Sequence, residues 1–114
     1  MLTQASRPVV PAPEEIATLV RRVRDQLRAE EVWLFGSRAR GDHRPDSDWD
    51  LLAVLPDDAP EESMSPLLTW SIKREHPGPI TLLSTRRSDL EAIWGLPNTL
   101  GYDLAREGVR LRVG

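Results

Sequence analysis

Ile16, Leu19, Val20, Val23 and Leu27 recur every three or four positions, so they share one face of a helix. Arg21, Arg22, Arg24 and Arg28 fall mostly elsewhere, and Glu14 and Glu15 suit a helix N-terminus. The pattern predicts an amphipathic helix over residues 14–30. Val32-Trp33-Leu34-Phe35 then breaks the helical period, and residues 31–35 read as a strand. Ser37 to Gly41 can open a short helix, and Asp42 to Ser47 is a polar loop with Pro45. Residues 48–55 read as a second strand, and the unbroken run Leu51-Leu52-Ala53-Val54-Leu55 implies burial on both faces.

Pro56-Asp57-Asp58-Ala59-Pro60 ends that strand. Ser65 suits an N-cap and Pro66 a first helical position. The helix they open carries Leu67, Leu68 and Ile72 and ends in Lys73, Arg74 and His76. After the break Pro77-Gly78-Pro79, Ile80 to Leu83 reads as a short third strand. Ser88-Asp89-Leu90-Glu91 has the form of a capping box, opening a short helix with Ile93 and Trp94 that Gly95 and Pro97 close. Residues 98–107 read as a helix, with Gly108 suited to the position after its end. Val109, Leu111 and Val113 alternate with Arg110 and Arg112, the mark of a half-buried strand. Helices alternating with strands imply an α/β (α+β) fold, a small mixed sheet with helices packed on it.

A chain of 114 residues supports one domain and a modest core. Residues 1–13, with Pro8, Pro11 and Pro13, read as a flexible lead-in to a domain over 14–114. They lack the apolar core of a signal peptide, and no apolar run reaches membrane-spanning length, so no membrane association is expected. The absence of cysteine excludes a thiol nucleophile, a disulfide framework and a thiolate zinc site, and fits a cytoplasmic protein. A net charge of −3 does not favour direct nucleic-acid binding.

Candidate chemistry concentrates between Gly36 and Asp50. A glycine after a strand lets the backbone turn where a side chain would clash. The amides that follow suit phosphate oxygens. Ser37 adds a hydroxyl, and Arg38 and Arg40 could add charge; Ser37 could equally be a plain N-cap. No Gly-Lys-Ser/Thr occurs, so this is not a P-loop. Asp48 and Asp50 alternate on a strand and so share a face, with Cα atoms about 6.6 Å apart at roughly 3.3 Å per residue. Carboxylates at that spacing can converge on hard cations, and magnesium prefers such oxygens together with water and phosphates.

Gly36-Ser37, then ten residues, then Asp48-Trp49-Asp50 resembles the signature of DNA polymerase β-like nucleotidyltransferases. The fuller string, Gly36-Ser37-Arg38-Ala39-Arg40-Gly41 through Ser47-Asp48-Trp49-Asp50-Leu51-Leu52, resembles the minimal nucleotidyltransferase (MNT) branch. The resemblance implies the polymerase β-like fold. It also implies a triphosphate held at Gly36 and Ser37, to which Arg38 and Arg40 could add charge as read from the residues, and Mg2+ held by Asp48 and Asp50 as the catalytic pair. Many members of that branch act as antitoxins to a HEPN-type toxin, and some transfer AMP from ATP to a toxin tyrosine. The expectation is therefore transfer of a nucleoside monophosphate to a hydroxyl on a partner toxin, since so small a chain needs a partner to bring the acceptor. The alternative is a degenerate antitoxin or nucleotide-binding protein that acts by binding only. It is motivated by one departure: the third carboxylate usual in the family is matched by Thr81. Glu75 and Asp89 flank that strand and would need loops to bring them in. A homo-oligomer is compatible with the sequence.

Other residues carry weaker expectations. His43 reads as an exposed loop residue and His76 as a helix-end charge. Arg44 could meet phosphate or pair with Asp42 or Asp46. Trp33 and Trp70 are expected in the core, and Trp49 beneath a helix. Trp94 has a partner surface as an option. Tyr102 reads as a half-buried helix side chain.

Overall fold

The computed structural model describes residues 8–112. Five strands form one mixed sheet in the order β1-β5-β2-β3-β4. They are β1 (Val9–Pro11), β2 (Glu31–Phe35), β3 (Trp49–Leu55), β4 (Ile80–Arg86) and β5 (Val109–Arg112). β2 runs antiparallel to both β3 and β5, while β1 is parallel to β5 and β4 is parallel to β3. Five helices connect them: α1 (Ala17–Leu27), α2 (Ser37–Arg40), α3 (Pro66–Lys73), α4 (Arg87–Ile93) and α5 (Leu100–Glu107). None of the described helices is long and apolar enough to cross a membrane.

The continuous apolar run of β3 is used on both faces, as its pattern requires. Leu51, Ala53 and Leu55 pack with Leu19, Val20, Val23 and Leu27 of α1 and with Ile72 of α3. Leu52 and Val54 pack on the opposite face with Trp33, with Leu90 of α4 and with Leu104 of α5. Asp48 and Asp50 continue the second row, so the acidic pair extends from the face that α4 and α5 cover. Gly108 makes the α5 side close-packed, because a Cβ there would come within 2.9 Å of the Trp33 ring.

The sheet corrects the lead-in expectation for residues 9–11, which form the edge strand β1. Its register is Val9↔Arg110 to Pro11↔Arg112, and an edge is where a proline costs no ladder bond. Residues 1–7 of the expected lead-in lie outside the described residues, as does Val113. The first helix is shorter than expected: Glu14–Ile16 is a 3-10 turn, and Arg28 adopts a left-handed conformation (φ 54°, ψ 42°) that stops α1 at Leu27.

Ser65 caps α3 as expected, its hydroxyl accepting from the Leu67 amide at 3.2 Å. β4 runs on to Arg86 because β3 offers it a partner for seven residues, Trp49↔Ile80 through Leu55↔Arg86. That extension displaces the expected capping box. Arg86 becomes the N-cap of α4, Ser88 falls inside the helix, and the Asp57 carboxylate accepts from the Ser88 amide at 2.9 Å. The amide bond, with the Ser88 hydroxyl, holds the Asp57 carboxyl below its ordinary pKa.

Trp33 is fully buried, but Trp70 is half exposed. Ile72 takes the inward position of α3, and Trp70 lies on the outside under the Arg74 guanidinium, 4.8 Å from its ring centre. Trp94 packs edge-on against Trp33 with centroids 5.5 Å apart. His43 is exposed and Tyr102 half-buried, as read from the sequence.

Candidate active site

Three strands bring the chemistry to one end of the sheet. The end of β2 delivers Phe35 opposite Asp50. The start of β3 carries Asp50, with Asp48 just before it, and the start of β4 sets Thr81 beside Asp50. The Trp49 amide, which donates to the Pro79 carbonyl at 3.2 Å, ties the approaches of β3 and β4 together.

Gly36 turns the chain between β2 and α2 with φ 76° and ψ −160°, a region open essentially to glycine alone. The Ala39 and Arg40 amides both return to the Gly36 carbonyl, at 3.0 and 3.1 Å. The Ser37 and Arg38 amides come first in the helix and so lack a carbonyl one turn back. A Cβ added to Gly36 would overlap Oδ2 of Asp50 and stand 3.1 Å from its Cγ. The turn and the carboxylate are thus packed face to face, and the missing side chain is what lets them meet.

Asp48 is exposed and Asp50 half-buried. Burial, chiefly, raises the Asp50 carboxyl above its ordinary pKa. Hydrogen bonding from the Thr81 hydroxyl opposes this, the Asp48 charge adds to it, and the charge of Arg40 offsets part of it. The same hydroxyl stands 3.5 Å from Oδ2 of Asp48, so Thr81 lies between the two carboxylates. Two anionic groups held on one face, one of them partly desolvated, form a donor set suited to a hard divalent cation. The Gly36-Ser37 turn lies directly against the Asp50 carboxylate, so backbone amides and the acidic pair stand side by side at this end of the sheet.

The two arginines of the turn are already engaged. Arg38 donates from Nε and Nη2 to the Ser47 carbonyl, both at 3.1 Å, and from Nη2 to that of Pro45 at 3.0 Å. Its guanidinium lies 4.2 Å above the Trp49 ring. It fixes the loop that delivers Asp48. Arg40 bridges Asp42 and Glu107, each at 3.1 Å, and these bonds raise its pKa. Arg44 uses its own amide to reach the Ser47 hydroxyl at 2.8 Å. Trp49 packs against the core cluster that α1 and α3 cover, as expected, and carries the Arg38 guanidinium of α2 over its ring.

Sequence reasoning missed Glu107 as a member of this neighbourhood, since nothing local to it signals a partner 67 positions away. Neither flanking acid fills the third position. Glu75 is ion-paired to Arg22 at 3.1 Å. Among the described residues no group of three His, Cys, Asp or Glu side chains comes together to hold a metal.

Replacing Arg38 with alanine should free the loop over residues 42–47. We expect a stability loss of about 1 kcal/mol, from the cation–π contact and the lost carbonyl bonds. Amide exchange at Ser47 and Asp48 should also quicken. Lysine should not rescue it, because a point charge cannot serve Ser47 and Pro45 together while stacking on Trp49. Unchanged exchange in the alanine variant would show that the loop is held by other means.

A family profile described as nucleotidyltransferase domain matches residues 16–107. The chain belongs to the nucleotidyltransferase domain family. Its five-stranded mixed sheet flanked by helices is the fold of that family. Among solved structures, the chain is similar to a Sulfolobus solfataricus protein provisionally assigned as a nucleotidyltransferase. The identity is 23%, covering 68% of this chain and 72% of that one, with a TM-score of 0.46. It is also similar to a toxin–antitoxin structure solved with AMP-PNP, at 15% identity over 86% of this chain and 73% of that one, with a TM-score of 0.47. Comparison with curated proteins finds no match.

Proposed function

We propose that this nucleotidyltransferase-family protein moves a nucleoside monophosphate, AMP from ATP, to a hydroxyl on a partner toxin of the HEPN type, and so acts as an antitoxin. The observation that supports the nucleotide reading is the packing of Gly36 on the Asp50 carboxylate, which sets the Gly36-Ser37 turn against the acidic pair. The partner and acceptor rest on the resemblance of Gly36 through Gly41 and Ser47 through Leu52 to the MNT branch.

In this reading Gly36 and Ser37 grip the outer phosphates, and Asp48 and Asp50 hold Mg2+. The bound cation would neutralise charge on the triphosphate and leaving group. The acceptor oxygen forms a bond to the α-phosphorus, the bond to the bridging oxygen breaks, and pyrophosphate leaves. The acceptor's proton passes to solvent or to a base on the partner, since Thr81 offers no carboxylate to take it.

That last feature supports a second reading, a protein that binds nucleotide and partner without transfer. Two measurements test these readings. Calorimetric titration with ATP should show binding with magnesium and none with EDTA; no binding at millimolar ATP with magnesium would defeat the nucleotide reading. Label from α-labelled ATP should pass to the co-purified partner and be lost in Asp48→Ala. Neutralisation that survives both Asp48→Ala and Asp50→Ala would establish the binding-only protein.

A further inference from the structure

We infer that Asp48 and Asp50 hold one divalent cation together with the triphosphate, not two, and that Thr81 sets this number. The inference rests on the nucleotide reading above and concerns the same site. Two-metal phosphoryl-transfer centres place their cations about 3.5–4 Å apart. Each hard cation takes around six oxygen ligands, and close approach of two doubly charged ions needs shared anionic oxygens between them. The register of β3 against β4 puts Thr81 directly beside Asp50. Its hydroxyl, 3.5 Å from Asp48 Oδ2, occupies the place from which a third carboxylate would reach both aspartates. A hydroxyl brings no charge.

Among the described residues no other acid replaces it. Glu75 is held by Arg22, and Asp42 and Glu107 are both held by Arg40, each at 3.1 Å. No described group of three potential ligands exists. Asp50 is also hemmed in on the turn side, where Gly36 lies against its Oδ2. The protein's side chains therefore supply two carboxylates, enough to anchor one dication beside the triphosphate and with no third to anchor another. A second dication would find water, phosphate and a neutral hydroxyl.

The test counts cations on the full-length protein. Mn2+ is titrated in the presence of saturating non-hydrolysable ATP analogue and read from the spin resonance of the free ion. We expect one Mn2+ per protein–nucleotide complex in the wild type and two in Thr81→Asp. Thr81→Val should keep one, because the hydroxyl only bonds the carboxylates. Two Mn2+ in the wild type overturns the inference while leaving nucleotide binding intact. So does a folded Thr81→Asp that still takes one, or a folded Thr81→Val that takes none. If the wild type takes neither Mn2+ nor the analogue, the nucleotide reading falls, and this inference with it. Should Thr81→Asp fail to fold, the wild-type count still decides.

Discussion

Gly36→Ala should abolish magnesium-dependent ATP binding, lowering affinity about 100-fold or more, and should destabilise the fold by roughly 1–3 kcal/mol. Two separate effects act at this position. The backbone sits at φ 76° and ψ −160°, where any side chain is strained. The new methyl group would also occupy the space of Asp50 Oδ2, so either the turn or the carboxylate must move. Whichever moves, the turn and the carboxylate proposed to hold phosphate and cation lose their relation.

Gly41→Ala separates the two effects. Gly41 also has a positive φ, 87°, but a Cβ there meets nothing within 4 Å. It should cost about 1 kcal/mol of backbone strain and leave ATP affinity within about twofold. Thermal melting and calorimetric titration of both variants provide the check. A Gly36→Ala protein that binds ATP as the wild type does would show that the turn and Asp50 work independently.

What was legible beforehand follows the length scale of the interaction. The apolar runs of β2 and β3 and the three-to-four spacing of α1 are local patterns, and the sheet uses them as written. The period-two relation of Asp48 and Asp50 is equally local, and so is the Ser65-Pro66 start of α3. The family resemblance matched Thr81 to the third-carboxylate position, and the β3–β4 register sets it beside Asp50. The errors arose where a distant partner decides. β4 is lengthened by the seven-residue partner that β3 provides, and this moves the cap of α4 from Ser88 to Arg86. Trp33 and Trp70 look alike in composition, but only Trp33 lies on a two-sided core strand.

The arginines of the turn show the same limit. Their charge is visible in the chain, but their partners, the Ser47 and Pro45 carbonyls and the Glu107 carboxylate, emerge only on folding. A sequence assigns charge to a site; geometry decides whether that charge is already spent inside the protein. Here Arg38 builds the loop that carries Asp48, and Arg40 offsets the charge of Asp50 from within its own ion-pair network.

Asp50→Asn should bind ATP at least about 100-fold more weakly in magnesium and yet be more stable without ligand. The two effects have one origin. Burial, reinforced by Asp48, raises the Asp50 pKa, so the folded protein holds that proton more tightly than the unfolded chain does. Where the folded state binds more protons, stability falls as pH rises. The loss accrues between the ordinary carboxylate pKa and the raised one, and above that window it is complete. At neutral pH the ionised Asp50 is thus a cost to the fold, which asparagine removes while keeping the shape.

The unliganded variant should melt above the wild type at neutral pH. The gain should vanish at a pH below the ordinary carboxylate range, where Asp50 is protonated in the wild type too. The wild type should in turn be stabilised by magnesium with ATP more than the variant is, because a cation relieves the same repulsion. Melting curves across pH, with and without magnesium and ATP, read all of this in one series. An Asp50→Asn protein less stable than the wild type at neutral pH would show that Asp50 holds the fold together instead of being held, at a cost, for a cation.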